Sequence, residues 1–207
     1  LRLRRVGPVL GSTLCPRCSK PEGLVCECGE IFPPRALDKF EALGVPRRFD
    51  LDDGELDARY RDLSRKVHPD RFAMAEPKQR VASLQAATTL NDAYRLLRQP
   101  MARAAHLLEL AGVKVDEHET SDPAFLLEIM ELREELAAAR HDAPKLRALG
   151  ENMQKRHDQT LAAIADGFHQ YDATHDRAHV AKIQRDLVAA RFYRRYLDEV
   201  EAGLEAA

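Results

Sequence analysis

From Ala36 onward the apolar residues recur at steps of three and four and seldom alternate, which restricts this part of the chain to packed helices. Leu56, Tyr60, Leu63 and Val67 line one helical face, and Ala86, Leu90, Ala93 and Leu97 line another. A third stripe runs through Leu146, Leu149, Met153, His157, Thr160, Ile164 and Phe168. The β-branched runs that a sheet needs are missing, as are internal repeats and low-complexity tracts. Punctuation fits the same reading. Asp52 is placed to cap the first long helix and Pro69 to stop it; the next spans about 78–98, and Pro100 starts a shorter one to about 111. A polar stretch, 116–122, leads to a helix opened by Pro123, and two long helices follow at about 143–170 and 174–204. The expected fold is all-α. Residues 36–112 form an antiparallel helical hairpin with short flanking helices, and residues 122–207 form a three-helix bundle. The chain's 207 residues, 44% of them apolar, suffice for both cores.

Charge excludes some partners. Thirty-two lysines and arginines face 34 acids, and the formal charge of −2 gives no general attraction to a polyanion, so nucleic acid is not an expected partner. No apolar run is long enough to span a bilayer, which takes roughly 18 residues, so no membrane association is expected. The opening Leu1-Arg2-Leu3-Arg4-Arg5 lacks the apolar core of a secretory signal and is compatible with the tail of a mitochondrial transit peptide. The expected location is cytoplasmic for a bacterial source and the mitochondrial matrix for a eukaryotic one.

The segment between the two helices of the hairpin carries His68-Pro69-Asp70. Arg61 and Arg65 fall opposite the apolar face of the preceding helix, so a cationic strip that includes Lys66 leads to a loop stiffened by a proline and tipped by a carboxylate. A capped turn accounts for the tripeptide alone. An enzymatic reading, with His68 as general base oriented by Asp70, lacks a nucleophile and a phosphate-binding glycine loop, and no enzyme activity is expected. The wider pattern is more informative. Tyr60 to Phe72, YRDLSRKVHPDRF, followed by Leu90-Asn91-Asp92-Ala93-Tyr94 and Pro100, resembles the J-domain of DnaJ-like co-chaperones. That resemblance implies that His68, Pro69 and Asp70, with Arg61, Arg65 and Lys66, dock on a seventy-kilodalton heat-shock chaperone and stimulate its ATPase. Charge-assisted bonding from Asp70 and attraction of an acidic surface by the basic strip fit such a role.

The Pro123 helix has apolar residues to spare. Phe125, Ile129, Leu132 and Leu136 make the stripe a bundle would bury. Leu126, Leu127 and Met130 lie between roughly 90° and roughly 170° from its centre, beside Glu134. In the last helix Val180, Ile183, Leu187, Ala190 and Leu197 share a face, and Phe192 falls about 180° from Ile183. Wide buried arcs in a small bundle are one explanation and an exposed binding patch is another. The run Phe125-Leu126-Leu127-Glu128, with Glu131-Leu132-Arg133-Glu134-Glu135-Leu136 and Arg191-Phe192, is similar to the carboxy-terminal domain of HscB-type co-chaperones, and the similarity covers about 38–204. It implies that Leu126, Leu127, Met130, Glu131, Glu134 and Phe192 bind an IscU-like iron-sulfur scaffold protein, which the J-domain then presents to an HscA-type chaperone. A homodimer is left open.

All four cysteines, Cys15, Cys18, Cys26 and Cys28, fall in the first 35 residues, as C-x-x-C and C-x-C pairs seven residues apart. So small a segment cannot bury a core of its own, and four thiolates around a structural zinc ion would hold it together. Some HscB relatives carry a four-cysteine zinc module at this end. Here the second pair is C-x-C, so its knuckle must be tighter. An iron site or a thiol-disulfide pair would use the same four side chains. Arg2, Arg4, Arg5 and Arg17 have no interleaved aromatics with which to stack bases, which weighs against a nucleic-acid finger. His175 and His179, four apart, have no third ligand in view and read as a solvated face.

Overall fold

The computed structural model describes residues 15, 17–18, 24–26, 28–31, 37–113 and 122–206. The arginine-rich opening, the Pro33-Pro34 linker and residues 116–121 of the polar stretch lie outside them. Among the described residues, seven α-helices run in the order α1 (Lys39–Leu43), α2 (Asp53–Val67), α3 (Pro77–Arg98), α4 (Pro100–Leu110), α5 (Pro123–Ala138), α6 (Ala143–Thr174) and α7 (Arg177–Glu205), with a 3-10 turn at Pro69–Phe72. No strand occurs among them, only an isolated bridge between Val25 and Ile31. The chain divides into two compact units, Leu1–Arg103 and Ala104–Ala207, the division falling inside α4.

In the first unit, Asp52 caps α2 by accepting the Glu55 amide at 2.7 Å, as its position before the apolar stripe predicts. Leu56, Leu63 and Val67 are buried on α2, and Ala82, Ser83, Ala86, Leu90, Ala93 and Leu97 on α3. Half of the buried residues of α3 are alanine, which lets neighbouring backbones come close, while Phe40, Leu43 and Leu56 supply bulk. Tyr60 and Tyr94 stack across the hairpin at 4.1 Å between centroids. Each hydroxyl has an acceptor on the opposite helix, Tyr60 bonding Asn91 Oδ1 and Tyr94 bonding Asp57 Oδ1, both at 2.8 Å. The register of α2 on α3 is thus fixed by aromatic packing and by two polar bonds. Gly44 ends α1 at φ 64°, where a Cβ would also sit 2.8 Å from Arg59 Nη2; a left-handed residue closing a helix is usually glycine for this reason. Arg59 needs that space: its Nε donates to the Leu43 carbonyl at 3.0 Å and satisfies an end of α1.

The second unit is a long hairpin with a short helix laid on one end. By length, α6 runs about 48 Å and α5 about 24 Å. Glycines bring α6 and α7 together: a Cβ on Gly167 would sit 2.6 Å from Ile183 Cγ1, and one on Gly150 3.1 Å from Val200 Cγ1. Where α5 joins, Leu136, Ala139, Leu146, Met153, Tyr193, Tyr196 and Val200 share one core, with Phe125, Leu132 and Phe192 packed at its margin. The expected three-helix bundle therefore exists over part of the hairpin's length. The buried stripe of α7 responds: it runs through Val180, Ile183 and Leu187 first, then Tyr193, Tyr196 and Val200. In doing so it turns by roughly 140° around the helix. Beside α5 the helix faces two neighbours, α5 and α6, which share one core with it.

Candidate functional site

Three groups of residues stand apart from the packing just described. The first closes the hairpin of the first unit. Val67 is the last residue of α2, and its carbonyl accepts a 2.7 Å bond from the buried hydroxyl of Ser83, which ties the end of α2 to α3. His68 follows in an extended conformation, and Pro69 opens the 3-10 turn with a preset φ. The Asp70 amide donates to His68 Nδ1 at 3.3 Å, which leaves Nε2 as the ring nitrogen available to a partner. The Asp70 carboxylate is 90% exposed. Arg61 and Arg65 are exposed on the outer face of α2, while Lys66 is half-buried and bonded at 2.7 Å to Asp62. That bond, together with the charges of Lys66, Arg59 and Arg65, holds the Asp62 carboxyl below its ordinary range. No nucleophile is bonded to His68 among the described residues. The arrangement is a contact surface with a rigid polar tip.

The second group lies on α5. Leu126, Leu127 and Met130 are 46%, 59% and 59% exposed, a concentration of large apolar side chains that the fold does not use. Glu131 and Glu134 are exposed near them. Phe192 requires a correction: it is half-buried, its ring meeting Phe125 edge-on at 6.0 Å, and it does not point away from the core. Measured against Ile183 it lies half a turn away, but the stripe has already rotated where Phe192 sits. Against Tyr193, Tyr196 and Val200 it is roughly 70° off centre, at the margin of the buried arc.

The third group is the cysteine unit. The Sγ atoms of Cys15, Cys18, Cys26 and Cys28 all lie within 4.8 Å of one another, Cys15 to Cys28 at 3.7 Å and Cys18 to Cys26 at 3.2 Å. These separations exceed a disulfide bond of about 2.05 Å and bracket the roughly 3.8 Å edge of a tetrahedron with metal–sulfur bonds of about 2.3 Å. The C-x-C pair is set in a tight turn, as its spacing requires: the Gly29 amide bonds the Cys26 carbonyl at 2.9 Å with Gly29 at φ 87°. Four thiols converge on one point, so the four cysteines are positioned to hold a metal ion. His175 is occupied differently: it caps α6 at φ 57°, its Nδ1 lying 3.0 Å from the Tyr171 carbonyl.

Spacing alone did not reveal Ser83 or Asp186. Ser83 reads as a small residue on an alanine face, and its partner is a main-chain carbonyl with no sequence signature. Asp186 had a signal, an acid set between Ile183 and Leu187 of the buried stripe of α7.

Comparison with known proteins gives these groups a common context. The DnaJ domain family matches residues 38–106, and the HSCB C-terminal oligomerisation domain matches residues 121–201. The "Co-chaperone protein HscB homolog" of Bordetella petrii is 38% identical, over 75% of this chain and 97% of its own length. That of Bordetella pertussis is 39% identical with the same coverage. Among solved structures, chaperone HscB from Vibrio cholerae is 32% identical, with a TM-score of 0.69 over 82% of this chain and 99% of its own. The crystal structure of human co-chaperone protein HscB superposes with a TM-score of 0.77 at 26% identity, covering 92% of this chain and 98% of that one. No helix of the described residues is long and apolar enough to cross a membrane. With a J-domain hairpin and an HscB-type helical unit in the same order as these relatives, the chain belongs to the HscB family of co-chaperones.

Proposed function

We propose that this co-chaperone bridges two proteins of iron-sulfur cluster assembly, binding an IscU-like scaffold through residues 122–207 and stimulating an HscA-type heat-shock ATPase through residues 36–112. The exposed tip at His68-Pro69-Asp70, held by Ser83 yet with its own polar groups turned outward, carries the second half of this reading. Arg61, Arg65 and Lys66 would steer an acidic chaperone surface toward the loop, and the Asp70 carboxylate would meet a cationic side chain there. Leu126, Leu127, Met130, Glu131 and Glu134 would form the scaffold contact, with Phe192 as its supported edge. Residues 1–35 would form a module whose ion is zinc, because four thiolates in a closed cage suit a structural tetrahedral site. Zinc there supplies folding energy and no reaction chemistry.

The test is a steady-state ATPase assay of the chaperone with purified wild-type protein, His68→Gln and Asp70→Asn. Both variants are expected to lose stimulation while keeping helix content and scaffold affinity. Undiminished stimulation by both would refute the assignment of the loop.

A further inference from the structure

Cys15, Cys18, Cys26 and Cys28 are all the cysteines of the chain, so thiol chemistry is confined to this one cluster. Its four side chains are not equivalent. Cys15 and Cys26 are buried, at 1% and 3% exposure, whereas Cys18 and Cys28 are partly exposed. The close sulfur pairs, Cys18 with Cys26 at 3.2 Å and Cys15 with Cys28 at 3.7 Å, each join a partly exposed cysteine to a buried one. An oxidant thus reaches one member of each pair, and the other already lies beside it.

Four cysteines can pair in sequential, crossed or nested order. The sequential order needs a bridge from Cys26 to Cys28 across the single residue Glu27, inside the turn that the Gly29 amide closes on the Cys26 carbonyl at 2.9 Å. The nested order places Cys18–Cys26 within the loop closed by Cys15–Cys28, so both bridges fit one molecule. Closing either pair to the roughly 2.05 Å of a disulfide takes a movement of less than about 2 Å.

We propose that the cysteine unit is an oxidant-responsive switch, in which a hydroperoxide converts the four zinc-binding thiolates into two nested disulfides, Cys18–Cys26 first and Cys15–Cys28 second. The inference rests on the reading that this site holds zinc. In the first step the Cys18 thiolate attacks one peroxide oxygen and the O–O bond breaks. That oxygen stays on sulfur as a sulfenic acid, and the other leaves as hydroxide and is protonated to water. The Cys26 thiolate then attacks the Cys18 sulfur; the S–S bond forms, the S–O bond breaks, and a second hydroxide takes up a proton. Two electrons pass from the sulfurs to the peroxide, and the Cys28–Cys15 pair repeats the sequence with a second peroxide. Each bridge removes two thiolates from the donor set, so the second leaves none to hold the ion. A dithiol reductant returns all four.

The experiment is titration of the reduced, zinc-supplied full-length chain with hydrogen peroxide, with released zinc read by a chromogenic chelator and the bridges mapped on unreduced peptides. Cleavage after Arg17, Glu22 and Glu27 separates all four cysteines. Met74 and Met130 are exposed and take up oxygen as well, so the peptide map and not the total mass is the readout. The expected result is release of about one zinc ion for roughly two peroxides, with Cys18–Cys26 and Cys15–Cys28 in the map and full recovery on adding dithiothreitol and zinc. Retention of zinc and all four thiols at a peroxide level that oxidises glutathione would overturn the switch, as would a map dominated by Cys15–Cys18 or by sulfinic acid. A freshly prepared chain without zinc would refute the metal reading alone, since the map still decides the pairing.

Discussion

Replacing Ser83 with alanine removes one atom and should loosen the loop that follows α2. Its hydroxyl is fully buried and donates to the Val67 carbonyl at 2.7 Å. A hydrogen bond of this kind contributes about 1 kcal/mol net, and leaving its buried acceptor unpaired brings the loss to about 2 kcal/mol. Alanine returns about 0.5 kcal/mol through its greater helix propensity, so the expected net loss is about 1.5 kcal/mol, or roughly tenfold in the local opening equilibrium. A chain of two compact units need not unfold in a single transition, so the suitable readout is native-state amide exchange. Protection should fall about tenfold in the last turn of α2 and the first turns of α3, with α6 and α7 unaffected. Stimulation of the chaperone should weaken as well, because the untethered carbonyl immediately precedes His68. Unchanged protection in Ser83→Ala would refute the claim that this bond holds the loop.

Leu126→Ala with Met130→Ala should weaken scaffold binding more than tenfold while shifting stability by only about 0.5 kcal/mol, since both side chains are more than two-fifths exposed. Phe192→Ala should cost about 2 kcal/mol of stability in addition to any loss of affinity, because its ring packs on Phe125. A thermal melt of each variant separates the cases. Metal analysis of freshly reduced protein should find one zinc ion per chain. Its removal by a chelator should abolish amide protection before about residue 33 without melting the helices.

The helices were legible because their signals are local. Asp52, Pro69, Pro100 and Pro123 mark ends, and steps of three and four mark faces, so α2 to α7 fall close to their expected limits. The exposure of Leu126 and Met130 was legible for the same reason, as one helix turned against its own stripe. Phe192 was misjudged because its surroundings are set by α5, distant in sequence and short enough to change α7's neighbours midway along it. A stripe that rotates has no single opposite face. The burial of one Asp186 carboxylate oxygen is not legible in sequence, because it depends on residues of α5 and α6 distant along the chain. The cysteines were legible in composition, and their convergence to within 4.8 Å adds the geometry that spacing could not supply.

The central claim is that one molecule connects the scaffold to the chaperone, and the steady-state ATPase rate of an HscA-type chaperone tests it most directly. The rate should be measured with this protein alone, with the scaffold alone and with both together. The account predicts that the two together stimulate far beyond the sum of their separate effects, and that Asp70→Asn abolishes the excess. Purely additive rates, or an excess that survives Asp70→Asn, would contradict it.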